Sequence, residues 1–270
     1  MKIRLGFSPC PNDTFMFDAM VHQKIDTEGL IFQPVIEDVE VLNLKAMKQE
    51  LEMTKISFNA LLFASSNYAL LHSGSALGNN CGPLLICQAD RLPFNSNFLV
   101  AIPGRYTTAN SLFQFAYPQH QQTTELLFSD IENAILNHEV DAGVIIHENR
   151  FTFQQKGLVK IQDLGHYWES QTNLPIPLGG IVISRKFGKD IHQKVQRVLK
   201  RSIQYAFNHP ESSKEFVSRY AQEMKYDVVK KHIELYVNDY SLELGQTGQQ
   251  AVTLFFEKAG RETDNLFVDL

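Results

Sequence analysis

Cysteine is scarce in this 270-residue sequence. Cys10, Cys81 and Cys87 are an odd, sparse set, which excludes a disulfide framework and suits reduced thiols. No CxxC pair and no HExxH box occurs, so neither a structural nor a catalytic metal site has support. The glycines around Gly78, Gly82 and Pro83 form a tight loop that fits neither a Walker pattern nor a dinucleotide fingerprint. No nucleotide cofactor is therefore indicated. No apolar run reaches the roughly 18 residues that a membrane span needs. Lysine and arginine (25) are outnumbered by aspartate and glutamate (30), and the net charge of -5 argues against a general nucleic-acid binder. The opening residues, MKIRLGFSPCPNDTF, lack the apolar core and small-residue cleavage site of a secretory leader, so a cytoplasmic protein is expected.

What is present is ordinary globular material, 44% apolar and 20% charged, enough for one large domain or two modest ones. Ile3 to Phe7 alternates as a strand and stops at Ser8-Pro9-Cys10-Pro11. Asn12 or Asp13 is placed to cap a helix carrying Phe15, Met16, Ala19 and Met20. Leu30 to Ile36 reads as a strand, Val41 to Glu52 as a helix, Lys55 to Phe58 as a short strand, and Ala60 to Leu71 as a buried helix. After Leu92 a second α/β unit is expected, with strands at Phe98 to Ile102 and Ala142 to Ile146. Its helices are expected from Thr107 or Thr108 to Ala116 and from Ile131 to Asn137. Ile181 to Ser184 is strand-like, and helices dominate from Lys189 to Gly260.

Strand–helix alternation favours an α/β fold with mostly parallel sheets flanked by helices. Pro83 to Gln88 and Gly179 to Ser184 are candidate crossings between two lobes. Residues 1–90 with 180–270 then form a discontinuous first lobe and 91–179 an inserted second one, with a substrate cleft between them.

Four places invite chemistry. The first is the stretch Ser8, Asn12 and Asp13, where a Pro-stiffened loop meets a helix start whose unpaired N–H groups attract anions. The same residues serve equally as a rigid turn with a good cap. Lys55 and Ser57, at the end of the third strand, pair a cation with a hydroxyl suited to a carboxylate, although a solvated lysine is the default. Thr107, Thr108 and Ala109 offer a second helix start, whose plain role is capping. The fourth place is His147, at the carboxyl end of the buried strand AGVII and followed by Glu148, Asn149 and Arg150. Imidazole is the natural proton acceptor near neutrality. His72, His138, His166 and His232 show no comparable setting. Cys10 at a helix start is a candidate nucleophile, but a packed thiol accounts for it as well.

SPCPNDTF, EDVEVLN, TKISFNA, ALGNNCGPL, PGRYTTA, GVIIHENRFTF and LPIPLGG together resemble the 1,4-dihydroxy-6-naphthoate synthases of the futalosine route to menaquinone. The resemblance runs from the first strand to about Ser184, with looser helical similarity beyond. It implies a two-lobed, type II periplasmic-binding-protein-like fold. It also implies a carbon–carbon lyase acting on cyclic dehypoxanthine futalosine, with no cofactor. By motif, His147 matches the proton acceptor, Lys55, Ile56 and Ser57 the substrate-binding strand end, and Thr107, Thr108 and Ala109 the second binding segment. Ser8, Asn12, Asp13 and Arg150 are further groups within the same motifs. Asn59 departs from the histidine of many relatives, and Asn79-Asn80 from a more glycine-like pair.

The expected partner is a small-molecule carboxylate substrate, with no nucleic acid and no membrane; a homo-oligomer is compatible with the pattern. Three other readings share parts of this pattern: a chorismate dehydratase of the same route, a non-catalytic small-carboxylate binding protein, and a regulator's effector domain. The last lacks an attached helix-turn-helix segment.

Overall fold

The computed structural model describes residues 1–147, 149–221 and 225–269. Its contacts divide the chain into two compact units, Met1–Gly78 with Pro177–Leu270, and Asn79–Ile176. The first change-over thus falls at Asn79, ahead of the apolar run Pro83 to Gln88 rather than behind it.

In the first unit the chain runs β1 (Lys2–Phe7), α1 (Pro11–Val21), β2 (Ile31–Ile36), α2 (Val39–Met47), β3 (Met53–Ser57), α3 (Phe58–Ala64), β4 (Tyr68–Leu70) and β5 (Ala76–Gly78). The second unit holds β6 (Leu84–Gln88), β7 (Val100–Ile102), α4 (Thr108–Ala116), β8 (Thr123–Glu125), α5 (Ile131–Leu136), β9 (Ala142–Ile145), α6 (Asn149–Thr152), β10 (Leu158–Asp163) and α7 (Leu164–Thr172). β11 (Ile176–Ser184) then leads into α8 (Lys189–Asn208), α9 (Lys214–Tyr220), α10 (Tyr226–Tyr236), α11 (Asp239–Leu242) and α12 (Gly245–Lys258) of the first unit.

The first unit's sheet has the order β2-β1-β3-β11-β4, with β5 paired to β11. β1 runs parallel to β2 and β3, whereas β11 is antiparallel to β3 and β4. The second sheet, β10-β6-β9-β7-β8, repeats the mixture. β7 is parallel to β8 and β9, and β6 is antiparallel to both its neighbours. Each sheet is therefore parallel through three strands and antiparallel where β11 or β6 joins.

Alternation in β1 sends Ile3, Leu5 and Phe7 into the core while Arg4 turns out to Glu52. Ten of the eleven residues of α1 are buried, so its lack of a polar face reflects burial on every side. α8 is amphipathic instead: Val195, Val198, Leu199, Ile203 and Ala206 recur at helical spacing and join the cluster that holds Met16 and Met20 of α1. Ser202 ties the two helices, donating to Met16 O at 2.6 Å and accepting from Met20 N at 3.2 Å.

Two expectations are corrected. Ala60 to Leu71 is not one helix: α3 stops at Ala64, and β4 follows the turn at Ser65-Ser66-Asn67. An unbroken apolar run cannot separate helix from buried strand, and here pairing of Ala69 with Ile183 in β11 decides. The cap of α1 is Cys10 with Pro11 in the first turn, not Asn12 or Asp13. The Asn12 and Asp13 side chains make other bonds instead.

Candidate functional site

In the first unit the loop after β1, the start of α1 and the end of β3 bring four predicted residues together. Asp13, fully buried, receives Ser8 N at 3.0 Å and Ser8 Oγ at 2.7 Å on one carboxyl oxygen. Its other oxygen receives Asn12 Nδ2 at 2.8 Å and the Lys55 ammonium. All four partners are donors, so the carboxylate acts as acceptor throughout. A buried ammonium and carboxylate in direct contact cancel each other's charge, and removing either partner leaves the other uncompensated. Lys55 is 8% exposed, so it is not the solvated lysine that base composition favours.

Ser57, one strand position beyond Ile56, is the N-cap residue of α3. Its N–H donates to Asn43 Oδ1 at 2.9 Å, and its Oγ accepts from Asn43 Nδ2 at 3.2 Å. Asn43 also donates to Glu40 at 2.9 Å. Ile56 is buried and paired with Gly180, and β11 approaches closely because a Cβ at Gly179 would lie 2.7 Å from Ile56 O.

Two residues of this assembly are not singled out by spacing. Asn43 closes the motif EDVEVLN inside α2, where spacing alone makes it look like any polar helix residue. His232, on α10, is fully buried and meets Asn12 Oδ1 through Nε2 at 2.9 Å, 220 positions away. Its setting is thus far from the featureless one that spacing suggested.

In the second unit Thr107 is the N-cap residue of α4. Its Oγ1 donates to Gly104 O at 2.8 Å and accepts from Asn110 N at 3.3 Å. The hydroxyl of Thr107 therefore caps, while Thr108 and Ala109 occupy the first turn, both buried. His147 lies just past β9, half-buried, with φ +56° and its ring edge-on to Phe128 at 4.9 Å between centroids. A left-handed backbone at a non-glycine residue costs about 1 kcal/mol or more and recurs at functional positions. Glu148 lies outside the described residues. Asn149 donates to buried Glu132 at 2.9 Å, and Lys156 pairs with the same carboxylate at 2.6 Å.

Arg150 donates to Gly82 O and pairs with Asp163 at 3.6 Å. That contact braces a close backbone crossing, since a Cβ at Gly82 would sit 2.3 Å from Gly165 Cα. The same buried corner holds Cys81, whose thiol burial pushes up to about 12. All three cysteines are buried free thiols. Among the described residues, no three His, Cys, Asp or Glu side chains converge as a metal site would need, and no helix is long and apolar enough to cross a membrane.

The chain is 41% identical over 257 residues to a 1,4-dihydroxy-6-naphthoate synthase of Thermus thermophilus, covering 95% of this chain and 93% of that one. It is 35% identical over 265 residues to an enzyme of the same name from Streptomyces coelicolor, covering 96% and 93%. A crystal structure of an Archaeoglobus fulgidus protein superposes with a TM-score of 0.90 at 35% identity, covering 96% of this chain and 97% of that one. The periplasmic aliphatic sulphonate-binding protein of Escherichia coli superposes at 0.66 with 14% identity, covering 98% and 95%, which shows a periplasmic-binding-protein-like fold and no more. A family model described as menaquinone biosynthesis matches residues 3–261. The chain belongs to the menaquinone biosynthesis family.

Proposed function

We propose that the chain is a cytoplasmic carbon–carbon lyase that converts cyclic dehypoxanthine futalosine to 1,4-dihydroxy-6-naphthoate in menaquinone biosynthesis. The observation that carries this reading is the near full-length identity of 41% and 35% to two enzymes of that name. The residues matched by motif add to it: a buried Lys55–Asp13 pair, and a histidine held in a left-handed turn at a strand end.

In this proposal Lys55, Ile56 and Ser57 are substrate-binding residues, and so are Thr107, Thr108 and Ala109. The neutral imidazole of His147 takes a proton from the carbon beside a carbonyl, and the C–H electron pair becomes that of an enolate. The enolate triggers ring cleavage, and the forming aromatic ring drives the release of the sugar-derived carbons. Lys55, fixed by Asp13, and the N–H groups of the two helix starts stabilise the negative charge where it develops.

The test is to incubate the purified protein with cyclic dehypoxanthine futalosine and, separately, with chorismate, and to separate the products by chromatography. Naphthoate from the first incubation supports the lyase. Return of that compound unchanged would leave a binding protein, and consumption of chorismate would point to a dehydratase.

A further inference from the structure

Asn12, His232, Asp13 and Lys55 form one hydrogen-bonded chain whose direction is fixed at every link. Asn12 Nδ2 faces the Asp13 carboxylate, which can only accept, so Asn12 Oδ1 must face away from it. Oδ1 meets His232 Nε2 at 2.9 Å, so that nitrogen carries the proton. The sequence of donors is then His232 to Asn12, Asn12 to Asp13, with the Lys55 ammonium donating to the same Asp13 oxygen. His232 and Asp13 are 0% exposed and Asn12 3%, so water does not compete for these bonds.

We infer that His232 is a positioning residue for the Lys55 ammonium, acting through Asn12 and Asp13. A buried imidazole on α10 that only filled space could be any apolar side chain of its size. One that holds an amide in a single orientation must keep a donor at the Nε2 position. Without that donor, Asn12 Oδ1 is left buried with nothing to accept, and the amide loses the contact that aims Nδ2 at Asp13. Asp13 then keeps its Ser8 bonds but loses one of the two donors on the oxygen that holds Lys55. The ring of Tyr236, 4.7 Å away on the same helix, packs against the imidazole and limits its rotation.

This inference rests on the proposed role of Lys55, and the experiment separates the two. Steady-state kinetics on cyclic dehypoxanthine futalosine are measured for His232→Phe, His232→Gln, His232→Asn, Lys55→Met and the double variant His232→Phe/Lys55→Met, with thermal melting for each. The glutamine amide reaches about as far as Nε2, whereas asparagine stops near Nδ1. We expect Lys55→Met to lose turnover and His232→Phe to lose about tenfold or more in kcat/KM. The double variant should be no worse than Lys55→Met alone, because both act through one ammonium. His232→Gln should return to within about threefold of the wild type, and His232→Asn should not. Where His232→Phe does not fold, the glutamine and asparagine pair carries the same contrast. Equal rates for His232→Gln and His232→Asn, wild-type kinetics in His232→Phe, or additive losses in the double variant would overturn the inference while leaving Lys55 in place. Wild-type kinetics in Lys55→Met would remove the role of Lys55 and the inference with it.

Discussion

Asn43 and Ser57 exchange hydrogen bonds in both directions, amide oxygen to backbone N–H at 2.9 Å and amide nitrogen to hydroxyl at 3.2 Å. The pair fixes the end of β3 to α2, and Asn43 is fully buried. Asn43→Ala leaves the Ser57 N–H and hydroxyl short of a partner in a dry place, so we expect a loss of about 2–3 kcal/mol. Urea denaturation measures it. A change below about 0.5 kcal/mol would show that Ser57 finds a substitute partner.

Gly82 and Gly165 approach so closely that a Cβ on Gly82 would meet Gly165 Cα at 2.3 Å and Gly165 N at 2.5 Å. Both are backbone atoms and cannot swing aside. Gly82→Ala is expected to cost about 1–3 kcal/mol and to disturb the Arg150 contact with Gly82 O. An unchanged urea midpoint would contradict this.

Asp38 caps α2, accepting from Glu40 N at 2.8 Å, yet burial raises its carboxyl above the ordinary value of 3.8 against the opposing pull of its backbone N–H bonds. The folded protein therefore holds this proton more tightly than the unfolded chain. Deprotonation costs stability as pH rises from the unfolded value through the raised one, and the full cost applies above it. Asp38→Asn keeps the capping oxygen and removes the charge. Its midpoint in urea should gain on the wild type as pH rises from about 4 to about 7. If instead the wild type gained on the variant over that range, the direction of the shift would be wrong.

The three thiols should behave as packed side chains. Cys81 is pushed up to about 12 and Cys87 is also raised, both by burial, and Cys10 is 4% exposed. A thiol reagent such as Ellman's should find almost no reaction in the native protein at about pH 8 and three equivalents after denaturation. Fast reaction of a single native thiol would revive the nucleophile reading of Cys10.

Local chemistry made part of this molecule readable in advance. The alternation of Ile3, Leu5 and Phe7 and the Thr107 cap are properties of a few adjacent residues, and the structure has them where spacing put them. Tyr68 to Leu70 was hidden because a short apolar strand and a buried helix look alike until β11 pairs with one of them. The site divides the same way. Ser8, Asp13 and Lys55 stand in motifs at strand ends, whereas Asn43, although it closes EDVEVLN, and His232 show their roles only through partners 14 and 220 positions away. Arg150 stands in the motif GVIIHENRFTF, and its bonds to Gly82 and Asp163 are contacts that spacing does not encode.

His147 is the proposed proton acceptor, and the turnover of variants there, set against their stability, is the most direct measure. His147→Asn suits the variant well, since asparagine tolerates the left-handed backbone at φ +56° and carries no basic nitrogen. His147→Ala serves as a second variant. Both should melt within a few degrees of the wild type and lose about a hundredfold or more in kcat on cyclic dehypoxanthine futalosine. A folded His147→Asn or His147→Ala protein with near wild-type kcat would contradict the assignment.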